Sequence, residues 1–188
     1  MVASIGKFLE QERNLGKVIR FSARARLKDE SVAEHSFHVA FYSMLLADLE
    51  MSYGNKVDVE RLLRSALLHD LEECLTGDIM HSFKYSDAKV SKEIKRISGK
   101  FFDGLIASLP NGLPKKYSGL WAGAKSPSIE GRILQAADRL EALLYSMQEY
   151  SMGNSHFKHT AEEITAKLKG TGLKSVETVL KGLNIGKK

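Results

Sequence analysis

Apolar residues fall three and four apart through most of this chain, the spacing of one helix face, in blocks separated by glycine, proline, serine and asparagine. The blocks predict helices over roughly 3–20, 31–53, 58–74, 87–109, 126–151 and 158–182. Asn111-Gly112-Leu113-Pro114 and the stretch from Ser118 to Pro127 read as breaks, with Trp121 packing its connection onto the core. Lys169-Gly170-Thr171-Gly172 reads as a bend or split in the last helix. The pattern holds no convincing set of alternating strands, so the expected class is all-α, a compact helical bundle forming one domain over 1–188. No internal repeat is apparent.

Three of these apolar stripes are interrupted by side chains that bind metals. Ser31 and Glu34 make a capping box that starts the second helix, and His35 then shares a stripe with Val39, Tyr42 and Leu46. A lone histidine there reads first as a hydrogen-bonded core residue, ahead of a ligand. In the third helix Asp70 continues the face of Ala66 and Leu67, where an unpartnered carboxylate costs several kcal/mol to bury. His69 beside it reaches the same ion only near a helix end, because adjacent residues diverge by about 100°. Asp138 lies four residues after Leu134 and four before Ala142, either as a salt-bridged carboxylate, with Arg132 or Arg139, or as a ligand. Taken together, inward-facing His35, His69, Asp70 and Asp138 point to a metal-dependent hydrolase.

The motifs occur in a recognisable order: Arg20-Phe21, Val32-Ala33-Glu34-His35-Ser36, His69-Asp70 with Glu73 and Leu75-Thr76-Gly77-Asp78, Lys84-Tyr85, and Ala136-Ala137-Asp138-Arg139-Leu140. Over about residues 5–150 the chain resembles HD-domain phosphohydrolases, most closely the small bacterial 5'-deoxynucleotidases, and also phage deoxynucleotide triphosphohydrolases. The resemblance implies an HD-domain bundle in which His35, His69, Asp70 and Asp138 hold one divalent transition metal. It implies Glu73 and Asp78 as acidic catalytic or substrate-positioning residues, and Arg20 and Lys84 as phosphate contacts. Two imidazoles and two carboxylates suit Co or Mn, with Zn or Ni also compatible, better than Mg.

Each of these residues has its own chemistry. Glu73, three residues after Asp70, can return over the site to orient water or carry a proton, whereas Glu72 reads as a solvated helix-end glutamate. Asp78, leaving through a glycine turn at Gly77, suits a ribose hydroxyl or assistance to water attack. Arg20 offers phosphate a bidentate grip, while Arg24, Arg26 and Lys28 read as solvated charge. Phe21, where relatives often carry Trp, can stack on a base or line the pocket wall. Relatives can carry a lysine three residues before the last aspartate, where this chain has the neutral Gln135. That change favours deoxynucleoside 5'-monophosphates, cleaved to deoxynucleoside and phosphate, over the alternative of a triphosphohydrolase acting on dATP or another dNTP.

Composition narrows the remaining classes. A length of 188 residues suits one substantial core, and the single cysteine, Cys74, rules out a disulfide framework or a cysteine metal cluster. No stretch is apolar enough to span a membrane, and Met1 to Leu9 lacks a secretion signal's hydrophobic segment, so the expected location is cytoplasmic. The net charge of +5 attracts nucleotides without distinguishing them from polymeric nucleic acid. A nucleic-acid-binding helical protein has no reason to turn Asp70 and Asp138 inward, so no stable nucleic-acid partner is expected. A regulatory protein that keeps the metal without turnover is a further class. The apolar last helix and the habit of small relatives predict a homodimer.

Overall fold

The computed structural model describes residues 2–184, and these are all-α. Ten α-helices run in order: α1 (Val2–Glu12), α2 (Val32–Ser52), α3 (Val59–Leu68), α4 (Glu73–Thr76), α5 (His81–Lys84), α6 (Ala88–Ile106), α7 (Leu113–Gly123), α8 (Ile129–Ser151), α9 (Phe157–Lys169) and α10 (Lys174–Gly182). A 3-10 turn, Arg13–Lys17, continues α1. No strand occurs among the described residues; the one extended pairing is an isolated antiparallel bridge between Ile19 and Ser31. No described helix is long and apolar enough to cross a membrane.

The chain packs as two compact units, Met1–Ser36 with Leu68–Ala122, and Phe37–Leu67 with Gly123–Lys188. In the first unit Leu15, Val32, Leu71, Cys74, Phe102, Leu105 and Ile106 form the core, with Phe8, Tyr117 and Trp121 against it. The helix start expected at Ser31 is formed by the reciprocal capping box. Glu34 N–H donates to Ser31 Oγ at 3.2 Å, and Ser31 N–H donates to Glu34 Oε2 at 2.7 Å. A cap of this kind contributes about 1 kcal/mol and fixes the turn that carries His35. The break read between 111 and 127 contains a full helix, α7, whose Trp121 stacks on Phe102 with ring centroids 5.1 Å apart. The glycine and proline signals in that stretch mark the ends of a helix rather than a loop.

In the second unit the core runs through Val39, Leu46, Leu62, Ile133, Leu134 and Leu143 to Leu168, Leu173, Val176 and Leu180. The last four belong to the α9–α10 region, which packs its apolar residues into this core. Asp58 caps α3 as expected, accepting from Arg61 N–H at 3.0 Å. A short repeat also emerges here, against the sequence expectation. Helix α2 ends in Glu50-Met51-Ser52-Tyr53-Gly54-Asn55 and α8 in Glu149-Tyr150-Ser151-Met152-Gly153-Asn154. In both, the glycine takes a left-handed φ (+90° and +102°) and the asparagine N–H returns to the glutamate carbonyl at 3.0 Å. Each asparagine amide also donates to its glutamate carboxylate, at 2.6 and 2.7 Å. Glycine is suited to such a C-terminal turn because it carries no Cβ to clash.

Candidate metal centre

The expected third helix stops early. It ends at Leu68, and His69-Asp70 occupy the turn that follows before α4 begins at Glu73. Release from helical geometry lets two adjacent side chains point at one place. His69 Nε2 lies 3.0 Å and His35 Nε2 3.5 Å from Asp70 Oδ2, and the two rings stand 5.3 Å apart. Donor atoms of His35, His69 and Asp70 all fall within 4.8 Å of one another, with both imidazoles buried. Two imidazoles and a carboxylate converging in this way form a divalent-cation site of the kind that suits a transition metal.

The next turn loads the site with acid. Glu73 is buried, and burial first, then the charges of Asp70 and Asp78, push its carboxyl up to about 10. Glu72, expected in solvent, is 4% exposed. Burial, followed by Asp70, raises it to about 7, against a hydrogen bond from Trp121 that lowers it. That bond runs from Trp121 Nε1 to Glu72 Oε2 at 2.8 Å. Nothing near Glu72 in sequence announces this partner, which lies 49 positions away. Burial and then the like charge of Asp70 raise both acids, and a cation at the site would offset that charge.

The remaining expected residues are placed as follows. Arg20 and Glu30 form an ion pair at 2.6 Å, so the guanidinium has a carboxylate partner in addition to any role at phosphate. Its Cζ lies 5.1 Å from the Phe21 ring centroid, and that of Arg24 5.9 Å. Phe21 adopts a left-handed φ of +53°, and its N–H donates to Asp78 Oδ2 at 3.1 Å. Asp78 therefore ties the loop after α4, which turns at Gly77 (φ +73°), to the Arg20-Phe21 segment. Lys84 ends α5, and its charge lowers both Glu72 and Glu73. In the second unit Asp138, on α8, pairs with Lys125 Nζ at 3.0 Å, while Arg132 donates to Thr171 O. Gln135 donates to the Lys125 carbonyl at 3.1 Å.

Comparison with known proteins decides the family. Residues 7–184 match the model of the YfbR-like 5'-deoxynucleotidases. The chain belongs to this family. It is an HD-domain hydrolase with a His/Asp site for a divalent metal. A 5'-deoxynucleotidase of Pectobacterium atrosepticum is 32% identical over 151 residues, 80% of this chain and 76% of that protein. The crystal structure of an HD-domain phosphohydrolase from Listeria innocua superposes with a TM-score of 0.84 at 26% identity, over 94% of this chain and 86% of that one. The cyanophage S-2L HD phosphohydrolase DatZ, bound to dA and one catalytic Zn2+ ion, shares the fold at a TM-score of 0.60 and 18% identity, over 93% and 92% of the two chains.

Proposed function

We propose that this HD-domain protein hydrolyses deoxynucleoside 5'-monophosphates to deoxynucleosides and inorganic phosphate with one divalent transition metal. The observation that carries the reading is the convergence of His35, His69 and Asp70 in a chain of the 5'-deoxynucleotidase family. Asp138 is proposed as the fourth ligand on its motif. Co or Mn is favoured, and Zn or Ni also fits the donor set. When bound, such an ion polarises the phosphoryl group and lowers the pKa of water.

The chain's own residues supply the rest. Glu73, buried three residues after Asp70, orients the attacking water or carries a proton at the same site. Asp78 orients the sugar side of the substrate through the Phe21 segment that it holds at 3.1 Å. Arg20 and Lys84 take phosphate oxygens, and Phe21 forms the wall against which the base lies.

The test is chromatography of the products from the four dNMPs, four dNTPs and their ribose counterparts, after demetallation and re-addition of Co, Mn, Zn or Mg. Phosphate from dNMPs, dependent on the ion, is the expected result. Full activity without metal defeats the mechanism. Triphosphate released from dNTPs at much greater efficiency replaces the proposed substrate by the alternative one, and equal ribose turnover removes the sugar preference.

A further inference from the structure

Lys125 lies in the connection between α7 and α8, outside every motif that defines the family resemblance. Its Nζ stands 3.0 Å from Asp138 Oδ2, the two side chains being 38% and 26% exposed. A pair this open contributes little to stability. The connection is nevertheless held firmly against α8. Gln135, one helical turn before Asp138, donates from Nε2 to the Lys125 carbonyl at 3.1 Å. Ser126 lies so close to α8 that a Cβ at Gly131 would come within 2.1 Å of its carbonyl oxygen. Gly131 N–H and the Ser126 hydroxyl both meet Ser128 Oγ, at 3.2 and 3.1 Å. Gln135 and Gly131 thus fix the backbone from which the lysine reaches Asp138.

We infer that Lys125 is a further substrate-contacting residue, a cation kept on Asp138 and transferred to the substrate's phosphate. This rests on the reading of Asp138 as a metal ligand. An ammonium and a divalent ion are competing partners for one carboxylate oxygen. A lysine displaced from Asp138 stays tethered beside it by a flexible four-carbon stem, and the nearest new anion is a phosphate held by the same ion. The positive charge that position 135 lacks is thereby restored from position 125, through a backbone that Gln135 itself holds. One added cation suits a single phosphate group.

The experiment uses full-length wild type, K125Q, K125R and D138N. Mn2+ affinity is measured by competition with a chromophoric chelator, and inorganic phosphate binding to the Mn-loaded protein by calorimetry. K125Q is expected to bind Mn2+ as tightly as wild type or several-fold tighter, and phosphate at least tenfold more weakly, with K125R restoring phosphate binding. Unchanged phosphate affinity in K125Q overturns the inference, as does weaker Mn2+ binding, because the lysine would then be supporting the ligand rather than competing for it. D138N separates the two readings. If it binds Mn2+ normally, the ligand assignment falls; if it loses Mn2+ while K125Q binds phosphate normally, only the role of Lys125 falls. A thermal melt of K125Q matching wild type excludes misfolding.

Discussion

Trp121 donates its indole N–H to the buried carboxylate of Glu72 at 2.8 Å, tying α7 to the acidic turn after His69-Asp70. Trp121→Phe keeps the stack on Phe102 and removes the donor. The carboxyl of Glu72 is raised from its ordinary value to about 7, so the folded state retains a proton that the unfolded state gives up. Its contribution to stability is full below about pH 4.5 and is lost as pH rises through 7. Loss of the indole donor raises the carboxyl further. The variant is therefore expected to match wild type near pH 4.5 and to be less stable by about 1–3 kcal/mol near pH 8. Urea unfolding of metal-free protein at both pH values checks this; an equal deficit at both would assign Trp121 a packing role alone.

Glu73 makes metal binding proton-linked. Held at about 10 by burial, Asp70 and Asp78, it is protonated at pH 8, and a divalent ion bound beside Asp70 is expected to lower it. Calorimetric titration with Mn2+ in two buffers of different ionisation enthalpy is expected to show release of up to about one proton per ion. Glu73→Gln should abolish most of that release. Identical apparent enthalpies in the two buffers would show that Glu73 does not respond to the ion.

Much of this centre was legible because its signals are local. Ser31 and Glu34 specify the start of α2 within four residues, and that start positions His35. The importance of the His69-Asp70 pair was legible, but the end of the helix at Leu68, which lets the two side chains converge with His35, was not, since the apolar spacing runs on to Leu71. Glu72 could not be placed from sequence, because its burial depends on Trp121, forty-nine positions away. The partners of Arg20 and Asp138 were hidden for the same reason: Glu30 and Lys125 are brought in by the Ile19–Ser31 bridge and by the Gln135 contact.

Acid sensitivity is expected in the second unit. Burial alone would raise the Glu50 carboxyl, but hydrogen bonds from Ser175 and Asn55, with the charge of Arg132, outweigh it and hold the group below its ordinary value. Stability from Glu50 is therefore present above about pH 4.5 and lost as pH falls through the depressed folded value. Glu50 Oε1 accepts from Ser175 N–H at 2.8 Å at the start of α10. Glu50→Gln should cost about 1–3 kcal/mol at pH 7 and flatten the acid limb of the unfolding curve. Hydrogen exchange at 174–182 is the measurement, and unchanged protection would separate α10 from Glu50.

A homodimer is the expected assembly, through α2 rather than the C-terminal helices. Phe37, Phe41, Met44 and Leu45 of helix α2 remain 38–64% exposed. Spaced at four, three and one, they make an uncharged stripe of a few hundred Å2, which a second copy can meet without like charges opposing. Light scattering should give about 42 kDa for two copies of the 20.9 kDa chain, and F37D/F41D about half of that. A concentration-independent mass of one chain for the wild type would exclude the dimer.

The matching stops at Gly54-Asn55 and Gly153-Asn154 make the lengths of α2 and α8 properties of six residues each. A residue inserted just before Glu50 carries the whole stop with it, so the helix grows by about 1.5 Å and the chain leaves it about 100° further round. The damage from such an insertion lies in the heading of the departing chain. Single-residue insertions and deletions in these two helices are consequently steering mutations.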